Sequence, residues 1–467
     1  MGDFAIATAI GRECWECLQR LDRSFLKPCR KIRSKVDRLF LNSLNSCKTP
    51  NSGETWRQIA VTPPRSAYVH VPFCRRRCFY CDFPISVVGD RKHGENSQTV
   101  RAYVNWLCAE IQATPPRDRP LETVFFGGGT PSLLSVSQLD RILTTLDRHF
   151  GIVGDAEISI EMDPGTFDRA KLRGFLKAGI TRVSFGAQAF QDELLQYCGR
   201  SHSVADIYTA FDLLETEGIA NVSFDLMSGL PHQTPQQWEA SLEAALNLDP
   251  AHLSLYDLIL EPGTVFDRFY KPDAEPFPDS ETAANLYRLA QQRLTAAGYG
   301  HYEISNYAKP GFECRHNLTY WCDRPYYGFG LGATSYVGGL RFARPRTRKA
   351  YAEWVERYVN SGGEIEAETV SDSDLILETL MLRFRLAEGL AIAELQQNVT
   401  EKTLQRFWQA IAPYLNCGWM KFDDDAGKDK RVRLSDPEGF LFSNVILSTL
   451  FEQLEDCAEL QCFHLEI

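Results

Sequence analysis

The chain has no apolar run approaching the roughly 20 residues that a bilayer span requires, and its start lacks the apolar core of a secretory signal. It has no excess of positive charge either: 50 Lys plus Arg stand against 61 Asp plus Glu, a net charge of -11. That balance gives no bulk electrostatic grip on a phosphate backbone, so a nucleic-acid partner is not expected. Low-complexity tracts are missing, as are internal repeats beyond a βα alternation. With 44% hydrophobic and 24% charged residues, the 467-residue chain can build real cores, and two packed units plus a tail are expected. Fourteen cysteines without a signal peptide fit reduced thiols and metal ligation in a reducing compartment better than a disulfide framework.

The most informative absence is a single thiol. The stretch HVPFCRRRCFYCDFP spaces Cys74, Cys78 and Cys81 as C-x3-C-x2-C, and Asp82, Phe83 and Pro84 follow where a fourth cysteine is expected.

The first 64 residues carry 11 Lys plus Arg against 6 acidic residues, while the remainder carries 39 against 55. Residues 1–65 therefore read as a separate basic extension. Trp15, Leu18, Leu21 and Phe25 fall at helical spacing ahead of a basic run from Lys27 to Arg38, which suits an organelle-targeting peptide; six acidic residues equally fit a plain extension. Localisation is then cytoplasmic, or plastid or mitochondrial if residues 1–65 act as a transit peptide. NSGETWRQIAVTPPRS reads as a linker. From Ser66 onward short β-branched runs alternate with amphipathic helices. Strands are expected over Ala67 to Val71, Thr123 to Phe126, Ile158 to Glu161, Arg182 to Phe185, Val222 to Asp225 and Leu253 to Tyr256. The intervening helical stretches, with Ser or Thr starts and Gly stops, force these strands parallel. The fold class is α/β over residues 66–300. Residues 301–371 form an aromatic and Gly-rich extension, a lid or edge addition. Residues 372–467 form a small helical domain with a hairpin, similar in outline to a winged helix.

In parallel α/β architectures, loops and helix N-termini converge at the carboxyl ends of the strands. Those ends bring the three cysteines, then GGGTP (Gly127–Pro131), Glu161, Gln188 and Asp225. Three thiolates within eight residues can wrap one polynuclear centre. A structural zinc site needs four protein ligands and would have to borrow a distant one. A [4Fe-4S] cluster on three cysteines leaves one iron open to an exogenous ligand.

The triplet followed by GGGTP resembles the radical S-adenosylmethionine superfamily. Within it, YVHVPFCRRRCFYCDF, VFFGGGTPSLL, ISIEMDPGTF, VSFGAQAF, CGRSH and FDLMSGLPHQT are similar to the oxygen-independent coproporphyrinogen oxidase family over about residues 66–450. The resemblance implies a partial (β/α)6 radical SAM barrel and a cluster on Cys74, Cys78 and Cys81. It implies S-adenosylmethionine contacts from Tyr68, Gly128, Gly129, Thr130, Glu161, Gln188, Arg200 and Asp225, with Tyr80 near a second cofactor. A reductant protein for the cluster is implied as well.

Two departures set the chain apart from the oxidase. Phe83 stands where the oxidase has a further cysteine, and residues 1–65 do not match the oxidase's Tyr- and Pro-rich arm. HNLTYW, His316 to Trp321, matches instead the signature of the HemW-type heme chaperone subfamily, which binds heme and hands it to an acceptor protein. A neutral imidazole suits heme iron, and Tyr320 and Trp321 offer flat apolar surface; the same residues equally suit a packed core. Cys314 and Cys322 flank the motif, and Cys14 and Cys17 form a C-x2-C. Three functions follow as expectations: a heme chaperone, a coproporphyrinogen III oxidase, or a cluster or zinc protein without radical chemistry.

Overall fold

The computed structural model describes residues 55–89, 94–271, 274–365, 370–423 and 429–455. Residues 1–54 of the basic extension, with its helical spacing and its C-x2-C, lie outside the described residues, as do 90–93, 272–273, 366–369, 424–428 and 456–467.

Six parallel strands form where the apolar runs place them: β1 (Ser66–Val71), β2 (Leu121–Gly128), β3 (Ile152–Met162), β4 (Arg182–Gln188), β5 (Val222–Ser228) and β6 (His252–Asp257). Each is longer than the apolar run that announces it, because the pairing continues into the flanking polar residues. Two short strands, β7 (Gly300–Glu303) and β8 (Asn306–Ala308), extend the sheet antiparallel beyond β6. A three-residue strand, β9 (Tyr327–Phe329), pairs parallel with β1 on the other side. The order is β9-β1-β2-β3-β4-β5-β6-β8-β7, an open sheet rather than a closed barrel. The connecting helices have strong punctuation. Ser135 and Gln138 form a capping box on the helix Val136–Phe150, which stops at Gly151 with φ 76°. Thr234 and Gln237 do the same for Pro235–Asn247, with Pro235 at the first helical position.

The strand period explains both faces. Val69, Val124, Ile160, Val183, Phe224 and Leu253 are fully or almost fully buried in the main core. Their neighbours Tyr68, Phe125, Glu161, Ser184, Asp225 and Ser254 are brought side by side by the register on the opposite face. One face of the sheet is thus apolar under the helices and the other is a polar lumen.

A second apolar core gathers residues 375–454 around Ile376, Leu380, Phe384, Ile411 and Leu450. Its three-stranded sheet pairs Leu390–Ala391 with Arg431–Leu434, which pairs in turn with Met420–Asp423, giving the expected hairpin beside helices Ile392–Asn398 and Glu401–Cys417. Here the reading of residues 51–66 as a linker is corrected. Thr55 and Gln58 cap a helix, Trp56–Ala60, and Trp56 is 3% exposed within this second core. Its backbone N–H donates to Asn398 Oδ1 at 2.7 Å and its indole N–H to Glu394 Oε1 at 2.9 Å. One aromatic ring with two long-range acceptors is enough to dock a segment that composition marks as linker. Among the described residues no helix is long and apolar enough to cross a membrane.

Candidate functional site

Cys74, Cys78 and Cys81 sit on the loop leaving β1, all partly buried and all free thiols. Burial and the Asp163 carboxylate push the Cys74 thiol upward, against a hydrogen bond with Thr130. Burial and Cys78 raise Cys81 to about 11. The loop leans on the glycine run: Gly129 N–H donates to Val71 O at 3.0 Å and Thr130 N–H to Phe73 O at 2.7 Å. A Cβ on Gly129 would meet the Phe73 nitrogen and the Val71 oxygen at 2.9 Å. Gly128 has φ 109°, and a Cβ there would run into the His70 ring. Only glycine permits this approach of the two loops.

Arg200 ties the ends of β1, β3 and β4 together. Its Nη2 donates to Asp163 Oδ1 at 2.6 Å and to Gly186 O at 2.8 Å, and its Nη1 lies 3.4 Å from Cys78 Sγ and 3.5 Å from the Tyr80 hydroxyl. Thr130 Oγ1 donates to Asp163 Oδ2 at 3.1 Å. Glu161 accepts from Gly128 N–H at 2.9 Å. Its carboxyl is raised to about 8 by burial and by neighbouring Asp225, which burial itself raises to about 6 despite Arg182 and Ser184. Tyr68 shares a 3.0 Å hydrogen bond with His70 Nδ1 on the same face.

The donor set fits a cluster with a small polar cationic ligand beside it. Gln188 holds a left-handed backbone, φ 68°, and its buried Oε1 lacks a hydrogen-bond partner. Arg200 Nε is likewise buried and unpaired. A buried acceptor and a buried donor without partners are costly unless a ligand completes them. Two carboxyls held above their ordinary range favour a cation for the same reason. Among the described residues no three His, Cys, Asp or Glu side chains converge as a single-ion site.

Tyr68, Cys74, Cys78, Tyr80, Cys81, Gly128, Gly129, Thr130, Glu161, Gln188, Arg200 and Asp225 therefore all belong to the strand-end mouth. His70 belongs there too, on the Tyr68 face as strand alternation predicts, and so does Asp163, which escaped sequence reasoning. Asp163 lies two residues beyond Glu161, and the same two-residue strand period that pairs His70 with Tyr68 was the signal that would have found it.

The HNLTYW residues lie elsewhere. The helix Arg315–Trp321 starts beside Glu157, near the amino ends of the strands, and Glu157 accepts from the His316 and Arg315 N–H groups at 3.0 Å each. That carboxylate serves as the cap, since Cys314 offers no side-chain cap. His316 is 1% exposed, with Nδ1 2.8 Å from Thr123 Oγ1 and Nε2 2.8 Å from the Tyr320 hydroxyl, and its ring stacks on Phe125. Burial pushes it down to about 3, so it is neutral with both ring nitrogens occupied. Trp321 is buried, with the Arg385 guanidinium over its ring at 5.4 Å. Cys314 is fully buried beside Glu157, and Cys322 is half-buried.

Comparison with known proteins identifies the family. A model of the radical SAM superfamily matches residues 68–245, and one of the HemN C-terminal domain matches residues 370–441. A heme chaperone HemW from Synechocystis sp. is 47% identical over 405 residues, covering 84% of this chain and 98% of the relative. One from Bacillus subtilis is 40% identical, covering 70% and 85%. The solved coproporphyrinogen III oxidase HemN of Escherichia coli superposes with a TM-score of 0.70 at 22% identity, covering 88% of this chain and 98% of that one, a likeness of fold. The chain belongs to the radical SAM superfamily and, within it, to the HemW family of heme chaperones.

Proposed function

We propose that the chain binds heme and transfers it to an acceptor protein. It holds one [4Fe-4S] cluster on Cys74, Cys78 and Cys81 and one S-adenosylmethionine across Gly128, Gly129, Thr130, Glu161, Gln188, Arg200 and Asp225. The observation that carries the reading is 47% identity running through 98% of a relative named a heme chaperone. Phe83, in place of the oxidase's further cysteine, agrees with it.

The chain's own residues prepare the mouth for these groups. Arg200 lies against Cys78, its Nη1 3.4 Å from the sulfur, and places a fixed positive charge at the edge of the cysteine loop. The glycine run brings backbone N–H groups to the loop edge, where they can bind a carboxylate. Glu161 and Asp225 neutralise an amine or sulfonium when they ionise. Bound there, the cluster would supply an electron received from a reductant protein and an iron site open to S-adenosylmethionine. Residues 66–300 carry this chemistry, and the second core lies within residues 375–454 with Trp56 docked into it. The compartment is set by residues 1–65 and is read from the mature N-terminus of the native protein.

Anaerobic reconstitution tests the reading. The expected product has a reducible [4Fe-4S] spectrum that S-adenosylmethionine perturbs, gains a Soret band on heme addition, and loses the cluster in Cys78→Ala. Uptake of zinc alone removes the cluster assignment, and no Soret band removes the heme assignment.

A further inference from the structure

Heme iron takes a neutral imidazole with an unoccupied ring nitrogen at an accessible place. Seven of the nine histidines are described, and six of those are hydrogen-bonded through the ring and buried or half-buried. His316 bonds Thr123 and Tyr320, His70 bonds Tyr68 and Pro84 O, and His252 bonds Ser223 and Tyr302. His149 bonds Thr114 O, His202 bonds Ala187 O, and His301 bonds Asp436. His232 alone among the described histidines is exposed and has no hydrogen bond to its ring.

The surroundings of His232 suit a porphyrin. It follows β5 in GLPHQT, at the carboxyl end of the sheet and on the same mouth as the cysteines. The loop is a firm base: His232 N–H donates to Pro276 O at 2.8 Å, and buried Gln233 donates to Met227 O at 3.3 Å. Its φ of 64° is left-handed backbone. The Tyr197 ring lies 5.0 Å from the imidazole, tilted by 49°, and stays 48% exposed. The helix Asp192–Tyr197 runs into Cys198, whose carbonyl accepts from Phe79 N–H at 3.0 Å; the Phe79 carbonyl accepts from Phe266 N–H at 3.0 Å. The short helix begun by Val265 ends at Phe269, 77% exposed, next to exposed Arg268 and Lys271. An imidazole, flat apolar surface and cations thus lie on segments knitted to the cluster loop. That combination matches an iron porphyrin with two carboxylate side chains.

We propose that His232 is an axial ligand of the heme iron, with Tyr197 and Phe269 against the macrocycle and Arg268 toward its carboxylates. This rests on the heme-binding reading above. It places heme beside the cluster rather than at HNLTYW.

The test is hemin titration of the full-length chain, compared with His232→Asn, Tyr197→Ala and His316→Gln. Asn tolerates the left-handed backbone, so folding is preserved. His232→Asn is expected to weaken binding more than the roughly 10-fold that loss of a supporting residue costs, and to shift the Soret band. Added imidazole is expected to restore the band, and His316→Gln to leave it in place. A wild-type Soret band that His232→Asn leaves unchanged in position and affinity overturns the proposal while sparing heme binding. Loss of the band in folded His316→Gln, with His232→Asn unaffected, overturns it in favour of HNLTYW. No band in the wild type overturns both.

Discussion

Removing the Arg200 charge tests how the mouth is held together. In Arg200→Met the apolar stem remains, while Asp163 loses its 2.6 Å donor and Gly186 O its 2.8 Å donor. The Arg200 side chain is 7% exposed and that of Asp163 is 24% exposed, so the abandoned carboxylate is largely cut off from water. Breaking a buried pair from one side costs ~3–5 kcal/mol, which the partial exposure of Asp163 reduces to roughly 2–4 kcal/mol. Adding Asp163→Asn removes the stranded charge. The double variant is then less destabilised than the sum of the two singles, by roughly 1–3 kcal/mol of coupling. Hydrogen exchange of the β3 and β4 amides, read as opening free energies, measures this locally and does not require the whole chain to unfold in one step. Unchanged protection in Arg200→Met, or singles that add within ~0.5 kcal/mol, refutes the assignment of Arg200 as the tie between the strand ends.

Three further predictions bear on other parts of the chain. Gly128→Ala forces a Cβ into the His70 ring at φ 109°; the reconstituted cluster should form but stop responding spectroscopically to S-adenosylmethionine, and a normal response would show that the close approach is unnecessary. Glu161, raised to about 8, is protonated at neutral pH, and a bound cation lowers it. Proton release on S-adenosylmethionine binding then makes affinity rise between pH 6 and 8, by at most about tenfold per pH unit; calorimetry in two buffers that finds no released proton would contradict this. Trp56→Ala empties a site in the second core and removes the indole donor to Glu394, while the backbone bond to Asn398 stays; the loss should cost ~3–5 kcal/mol by urea unfolding, and a loss below ~0.5 kcal/mol would mean the docked helix is peripheral.

Much of this was legible in the residues. The six parallel strands and their helices follow from apolar runs and caps, and the mouth residues follow from what those runs end on. The lumen was less legible, because apolar runs emphasise the residues under the helices, while the polar face is written in the alternate positions. Glu157, Ser159 and Glu161 share one strand face, and only the first or last member of such a row looks like a strand end. Strand β9 is three residues with a glycine at its centre and exists through pairing with β1, more than 250 residues earlier in the chain. Local propensity has no access to a contact of that range. HNLTYW reads from sequence as an aromatic ligand set. Its helix is cut to seven residues, and its histidine is turned inward by a carboxylate on β3. That orientation depends on tertiary packing and on nothing within the motif.

The central claim is that this chain carries heme rather than decarboxylating a porphyrinogen. One anaerobic preparation with an intact [4Fe-4S] cluster decides it when divided between two assays, heme titration and incubation with coproporphyrinogen III, S-adenosylmethionine and reductant. The account predicts a saturable Soret band in the first and no decarboxylated product in the second. Decarboxylated product without saturable heme binding would contradict it.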